Sequence, residues 1–372
     1  MHNQTPSTTL NIPWVDPRGF PEQEACIHTS VIVVAFNSQD YLRNCLDSLL
    51  QTLPEACEIL LVDNASMDTS TDLVKANYPT IRLICSPENL GFAGGNNLAA
   101  KAARGEYLAF LNPDTITTPG WLDALVAPLQ ENPQTGMTTS KVLMMRSQGT
   151  INACGNDVHL SGITLCRGAG LEREALGDQL NVGAISGAAF AIRRELFEKL
   201  GGFDESFFLY MEDTDLSWRA RLAGYDCIYV PASVVYHDYT LKFRSQKILF
   251  QERNRYRMLL KSLRWSSLLV LSPALLLAEV VTWGFVLVRQ PHMWRQKLQA
   301  YAAVVRNRGE IMAARRQAQA LRKRSDREML VLHTWWLDFE QTGPGIVPRL
   351  AKWVFTPFFW VLKGLAWLLV WQ

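Results

Sequence analysis

The chain has 372 residues, 48% of them hydrophobic, with 37 Lys and Arg against 35 Asp and Glu. That length exceeds one average domain, and the ordinary apolar content excludes both a disordered chain and a polytopic membrane protein. The net charge of +2 hides an asymmetry: acids concentrate before about residue 240, and Lys and Arg dominate from Lys242 to Arg327. Seven cysteines, an odd number without C-x-x-C spacing, are expected to be free buried thiols of a reducing compartment. Residues 1–27 lack a basic region followed by an apolar core, so they read as a polar arm and not as a signal peptide.

Ser30–Ala35 (S-V-I-V-V-A) is a continuous β-branched run, as expected of a strand buried on both faces of a parallel sheet. Asp40–Gln51 follows with Tyr41, Leu42, Cys45, Leu46, Leu49 and Leu50 at helical spacing. Glu58–Val62 reads as a second strand and Asp68–Asn77 as a helix capped by Ser66 or Asp68. Ile81–Ile84, a helix around Asn96–Ala103, and Tyr107–Leu111 complete three β-α units. The expected fold class is therefore α/β, with a doubly wound, mostly parallel sheet. Further along, Pro119–Gln130, Arg194–Leu200 and Thr214–Ala223 read as helices, and Met137–Met144, Ala184–Ile192, Asp226–Val230 and Val234–Tyr236 as strands.

Four acid-bearing signatures run through this region: Ile59–Asp68 (I-L-L-V-D-N-A-S-M-D), Glu88–Asn97 (E-N-L-G-F-A-G-G-N-N), Tyr107–Asp114 (Y-L-A-F-L-N-P-D) and Tyr210–Arg219 (Y-M-E-D-T-D-L-S-W-R). Two of them put an acid at the end of an apolar run, the sheet edge at which open α/β sheets bind ligands. Asp63 there either accepts from a pyrimidine N3–H or ribose hydroxyl, or caps the next turn. Gly91, Gly94 and Gly95 allow close backbone approach, with Asn96 and Asn97 at a helix start that favours an anion. The alternative is a plain Gly-rich connection, since G-x-G-x-x-G is missing. Pro113 presents Asp114 outward, as a bare turn or toward a hard cation whose other ligands are phosphates, water and a distant His. Glu212, Asp213 and Asp215 open a helix as dipole complements, unless one is aimed into a cleft as general base. The dipole there favours ionised Asp213. His237, at a strand end, is either solvated or a ligand.

In this order the signatures resemble the family 2 glycosyltransferases of GT-A fold over about residues 28–240, and most closely the bacterial rhamnosyltransferase-like members. The resemblance also rests on V-V-A-F-N (Val33–Asn37), I-S-G-A-A-F-A-I-R-R (Ile185–Arg194) and G-G-F-D-E-S-F-F-L-Y-M-E-D-T-D-L-S-W-R (Gly201–Arg219). It implies that Asn37 and Asp63 contact the nucleoside of a dTDP- or UDP-sugar donor and that Asn89, Gly91 and Asn96 line the donor pocket. Asp114 matches the last acid of the D-x-D metal motif, whose first position is Asn112 here. His237 matches a second ligand for Mn²⁺ or Mg²⁺, and Asp213 matches the catalytic base, with Glu212 beside it. The implied reaction is a single displacement with inversion onto a hydroxyl of a lipid-linked saccharide, in cell-surface polysaccharide synthesis.

The expected organisation is a polar arm (1–27), a GT-A domain (28–241) and a helical, basic, membrane-associated region (242–372). Ser266–Val288 is apolar and long enough to span a bilayer. Its flanks carry about eight and eleven basic residues, so a crossing would place one basic flank outside, against the positive-inside rule. With Pro273 and Glu279 inside it, it is read as a re-entrant or in-plane helical hairpin, and the Trp-rich segment Trp353–Trp371 as an interfacial helix. A polyprenyl diphosphate acceptor and the cytoplasmic face of a bacterial inner membrane follow as expectations. No nucleic-acid partner is expected. Two alternatives remain: a nucleotidyltransferase, against which stands the missing G-x-G-T-R-like loop, and a non-catalytic membrane scaffold, against which stand Asp63, Asp114, Asp213 and His237.

Overall fold

The computed structural model describes residues 27–238, 245–342 and 346–370. Nearly all of the polar arm, Lys242 and Trp371 lie outside them. The first half alternates as expected: β1 (Thr29–Ala35), α1 (Gln39–Thr52), β2 (Cys57–Asp63), α2 (Ser70–Asn77), β3 (Arg82–Cys85), α3 (Gly91–Ala102) and β4 (Tyr107–Leu111). β1 pairs in parallel with β2 and β4, and β2 with β3. Alternate residues of β1 feed two cores. Val31, Val33 and Ala35 pack with Leu42, Leu46 and Leu49 of α1, while Ile32 packs with Ala93 and Ala99 of α3. A strand with both faces covered has no polar face to show, which is why the run is continuous and apolar.

α3 starts at Gly91, five residues before the expected start, so Asn96 and Asn97 sit in its second turn. The Phe208 carbonyl accepts Phe92 N–H at 2.8 Å and Ala93 N–H at 3.3 Å. A distant loop thereby satisfies amides that a helix start leaves open, and the glycine-rich turn becomes helical by tertiary contact.

The second half contributes β5 (Thr115–Thr117), α4 (Trp121–Glu131), β6 (Thr135–Met144), β7 (Ile151–Ala153), β8 (Asn156–Val158), β9 (Thr164–Cys166), β10 (Leu180–Asn181), β11 (Ala189–Arg193), α5 (Arg194–Lys199), α6 (Glu212–Leu222) and β12 (Asp226–His237). The main path runs β10-β12-β6-β11-β4-β1-β2-β3, and β8 and β9 form a separate hairpin. β11 runs against β4 and β6, and β12 runs with β6. Hence β1, β2, β3, β4, β6 and β12 all end on one edge. The two strands read at Asp226–Val230 and Val234–Tyr236 are one strand, with a register shift between Val230 and Val234 at Pro231, which cannot donate to a ladder. Residues 184–188 are not strand: Ile185 and Ser186 give their N–H groups to the hydroxyls of Ser217 and Thr139.

The chain continues as α7 (Ser245–Ser262), α8 (Trp265–Arg289), α9 (Trp294–Arg306), α10 (Arg308–Ala320), α11 (Asp326–Leu330) and α12 (Ile346–Leu369). α7 is bolted to α6. Buried Lys261 reaches Asp215 at 2.5 Å and Asp204 at 2.9 Å, and Arg257 reaches Asp204 at 3.3 Å. Burial pushes the Asp204 carboxyl up, but the Lys261 and Arg257 charges more than reverse this and hold it well below its ordinary 3.8. Such a lowered group adds stability above its ordinary range and loses it as pH falls through the folded value. Lys261→Ala removes the cation shared by buried Asp215 and partly buried Asp204, leaving each with a single Arg partner, and should cost about 3–5 kcal/mol in urea unfolding. A loss within a few tenths of wild type would refute the anchoring role.

α8 departs from expectation, because it is one unbroken helix and not a hairpin. A single proline forfeits about 3 kcal/mol of helix propensity, and the apolar packing of Leu271, Ala274 and Ala278 with Phe359 and Ala366 of α12 outweighs it. Among the described residues it is the one helix long and apolar enough to cross a membrane. Its Glu279 faces inward, pairing with Arg255 at 2.5 Å and Lys297 at 3.2 Å and accepting from Tyr256 and Tyr301. Burial raises that carboxyl, and Arg255 and the other partners bring it down to about 2. The opposite face leaves Leu269, Leu276, Val280, Leu287 and Val288 exposed. α12 carries Trp353, Trp360 and Trp367 on an outer stripe, 79%, 61% and 53% exposed. Its Lys363 turns back to the His333 carbonyl at 2.7 Å.

Candidate functional site

The shared strand edge gathers most of the residues read from the sequence. Asp63 ends β2, buried, with Oδ2 accepting from Ser66 N–H at 3.3 Å and Oδ1 lacking any hydrogen-bond partner. A buried acceptor without a donor invites a ligand N–H or O–H. Asn37 stands after β1 in a left-handed conformation (φ 50°), and its Oδ1 accepts from Met67 N–H at 2.8 Å. It therefore shapes the loop beside Asp63. Asn89 Oδ1 accepts from Gly91 N–H at 2.9 Å and from Asn64 Nδ2 at 3.1 Å. Asn64 does not stand out in the sequence, yet it is buried and also accepts Leu90 N–H at 2.9 Å, so it pins the whole E-N-L-G turn.

Two of these residues have a different physical reason from the one expected. Gly91 has φ +69°, and a Cβ there would lie 2.3 Å from the Phe208 carbonyl. The close backbone approach is to this chain's own loop. Asn96 is buried within α3, and its Nδ2 donates to the Phe92 carbonyl at 2.9 Å. Asn97 is spent on Phe203 and Glu205.

Asn112, Asp114 and His237 come together from β4 and β12. His237 Nε2 lies 3.1 Å from Asp114 Oδ1 and 3.4 Å from Asn112 Nδ2, while Nδ1 meets Asn152 Oδ1 at 2.9 Å. With Nδ1–H given to Asn152, Nε2 faces the carboxylate over a shared proton or a shared cation. Two ligands at right angles on a cation with bonds of about 2.1 Å are about 3.0 Å apart, so the pair fits Mn²⁺ or Mg²⁺. It fits only an ion that takes its remaining ligands elsewhere: among the described residues no cluster of three His, Cys, Asp or Glu side chains is suited to a metal. Asn152 sits on the three-residue strand β7, too short to leave a periodic signal.

Asp213 opens α6 at the same edge. Its Oδ2 accepts from Gly187 N–H at 2.9 Å and Asn156 Nδ2 at 3.2 Å, and its Oδ1 from Thr214 N–H at 2.6 Å. Ala188, next to Gly187, accepts Asn112 N–H at 3.0 Å, so one short segment links the carboxylate to the metal-type pair. Burial raises the Asp213 carboxyl, and the Thr214 and Gly187 amides only partly offset it. Here burial outweighs the ionising influence of the helix N-terminus. Glu212 rises well above its ordinary value, through burial first and the Asp213 charge second, and its Oε2 has no hydrogen-bond partner. Two adjacent acids that cannot both ionise cheaply titrate as a pair. Asp215, by contrast, belongs to the α7 anchor, and Arg219 holds it at 2.8 Å.

The loop that leads into this pair is strained. Phe208, Tyr210 and Met211 all have positive φ. Asn254 of α7 holds it, donating to the carbonyls of Phe207, Leu209 and Tyr210 at 3.1, 3.1 and 2.7 Å. The six described cysteines are all unpaired, and burial pushes Cys45 up to about 12 and Cys57 up to about 11.

A mixed, mostly parallel sheet with an orphan acid at one strand end, an Asp–His pair at another and a partly buried acid on the adjoining helix makes up a fold of GT-A type. Residues 30–201 match the model of glycosyl transferase family 2; the protein is a glycosyltransferase. The N-acetylglucosaminyl-diphospho-decaprenol L-rhamnosyltransferase of Mycobacterium tuberculosis is 28% identical over 235 residues, which cover 56% of this chain and 75% of that protein. The O-antigen biosynthesis protein RfbC of Myxococcus xanthus is 31% identical over 230 residues, 59% of this chain but 18% of that protein. Among solved structures, S. aureus TarS 1–349 with UDP-GlcNAc superposes with a TM-score of 0.53 at 17% identity, covering 91% of this chain and 90% of that one. GalNAc-T7 with UDP, GalNAc and Mn²⁺ gives a TM-score of 0.52 at 20% identity, over 63% of this chain and 48% of that one.

Proposed function

We propose that this protein transfers a sugar, with L-rhamnose the leading candidate, from a nucleoside diphosphate to a hydroxyl of a saccharide carried on polyprenyl diphosphate. The transfer inverts the anomeric centre and depends on a divalent cation. The observation that carries the reading is the gathering of Asp63, the Asp114–His237 pair and Asp213 on one sheet edge. Asp63 would take the base or ribose, with Asn37 and Asn89 shaping the pocket around it. Asp114 and His237, with Asn112 beside them, would hold Mn²⁺ or Mg²⁺, which when bound neutralises charge on the diphosphate. Asp213 would accept the proton of the attacking hydroxyl. The acceptor class is supported by the name of the mycobacterial relative and by the apolar faces of α8 and α12. Incubation with a panel of dTDP- and UDP-sugars and a polyprenyl-diphosphate saccharide should release nucleoside diphosphate and lengthen the lipid-linked glycan. Release of pyrophosphate, or of nothing, would reject the reading.

The outer faces of α8 and α12 would lie in the cytoplasmic surface of a bacterial inner membrane, with the Trp stripe at headgroup depth. Replacing Trp353, Trp360 and Trp367 together by Ser should weaken vesicle binding about tenfold or more. The wild type should stay on vesicles in high salt. Release by salt alone would show a purely electrostatic attachment and refute the buried helices.

A further inference from the structure

A pocket of about 520 Å³ opens where the far end of α6 meets the start of α8 and the connection between α10 and α11. Leu222, the last residue of α6, accepts Lys323 N–H at 2.6 Å, and Arg324 reaches Asp226, the first residue of β12, at 2.7 Å. β12 ends in His237 on the catalytic edge, so this pocket lies at the opposite edge of the sheet. α6 has 11 residues, about 16 Å of helix, and Asp213 is at its other end. The pocket is therefore separate from the donor site and the base.

Five of its lining side chains are cations, Arg264, Arg322, Lys323, Arg324 and Arg327, against the single acid Glu328. Arg322 pairs with Asp326 at 2.6 Å and Arg324 with Asp226. Counting those two acids with Glu328, the pocket still holds two more positive charges than negative ones. The paired arginines also fix the wall, Arg322 by donating to the Ser262 carbonyl and Arg324 by donating to the Gly224 carbonyl. Two surface tryptophans border it. The Arg327 guanidinium lies 4.1 Å over the Trp367 ring of α12, and Trp265, next to Arg264, is 56% exposed at the start of α8. Aromatic rings and cations at one level are the pattern of a membrane–water interface.

We infer that this pocket takes the phosphate headgroup of an anionic bilayer phospholipid, which fixes how the protein sits on the membrane. The inference rests on the membrane attachment proposed above. Guanidinium groups match phosphate oxygens two at a time. The tryptophans on either side enter the headgroup layer, and the pocket meets the phosphate in that same layer. Because it stands at the edge away from Asp213, headgroup binding and sugar transfer do not compete for one site.

The test compares binding of the full chain to vesicles of phosphatidylcholine alone and with phosphatidylglycerol. Wild type should bind the phosphatidylglycerol vesicles at least tenfold more tightly. Replacing Lys323 and Arg327 together by Gln should remove about tenfold or more of that preference, since a basic residue at the surface contributes about fivefold. Binding to phosphatidylcholine should hold. Arg306 and Arg308 are exposed and outside the pocket, so Arg306→Gln with Arg308→Gln removes the same charge and should keep most of the preference. Lys323 is exposed, and Lys323→Gln alone should lose about fivefold without disturbing the fold, which thermal melting and nucleotide affinity report. Equal losses in the two double variants would show a diffuse field and overturn the pocket. A preference kept in full by the Lys323 and Arg327 double variant would do the same. Inorganic phosphate that binds wild type in calorimetry and abolishes the preference would make this a soluble-anion site and overturn the lipid assignment. Wild type that binds both vesicles equally would overturn the headgroup site and leave the membrane reading standing, whereas binding to neither would sink both.

Discussion

Asp213→Asn should lose about 10²–10⁴-fold in kcat, the usual range for general-base removal, and the upper part of that range is expected. The carboxylate accepts from Gly187, Asn156 and Thr214, so one face of an Asn amide must turn an NH₂ toward a donor. That conflict displaces the side chain as well as removing the base. Donor Kd should change little, since Asp63 and the Asp114–His237 pair are borne by other strands. Glu212→Gln should cost much less: burial and the Asp213 charge keep Glu212 protonated far above its ordinary range, and Gln mimics the neutral acid. A raised folded-state pKa means stability present at low pH and lost as pH climbs through the folded value. Glu212→Gln should therefore melt higher than wild type at alkaline pH and not at acidic pH. A dead Glu212→Gln beside an active Asp213→Asn would reverse the two roles.

Asp114→Ala should abolish metal-dependent donor binding and lower turnover by roughly 10²-fold or more, as expected when the charge that stabilises a leaving diphosphate is gone. Excess EDTA should do the same to wild type, and isothermal titration of Mn²⁺ with nucleoside diphosphate should show the loss without reference to activity. Asn152→Ala probes the orientation of the imidazole. It removes the acceptor for His237 Nδ1–H, and loss of such a partner costs about 10–100-fold in metal affinity. Full turnover in EDTA, or an Asn152→Ala protein with unaltered metal affinity, would dismiss Asp114 and His237 as a cation site.

Asp204 and Asp215 show how local chemistry misleads. In sequence Asp215 resembles a third acid of a catalytic run at a helix start. In the fold its carboxylate meets Lys261 and Arg219, and Asp204 meets Lys261 and Arg257. Lys261 and Arg257 come from α7, about forty residues or more further along the chain, and no spacing rule within the E-D-T-D segment reports them.

Short-range periodicity and the residues at strand ends were legible in the chain alone. The run Val31–Val33 had to be buried on both faces, and Asp63, Asn112 and Asp114 had to follow strands of one direction. Sheet pleat and β-α alternation place such residues on a common edge without further information. The remainder was settled by long-range contacts. The Phe208 carbonyl turned the glycine run into helix, and Asn152 and Asn156 reached His237 and Asp213 from strands of three residues that carry no period. Glu279 turned inward because Arg255 and Lys297 come from two other helices. Each depends on a backbone amide, carbonyl or buried charge satisfied by a group distant in sequence. Burial makes that satisfaction obligatory, but only the folded chain shows which group supplies it.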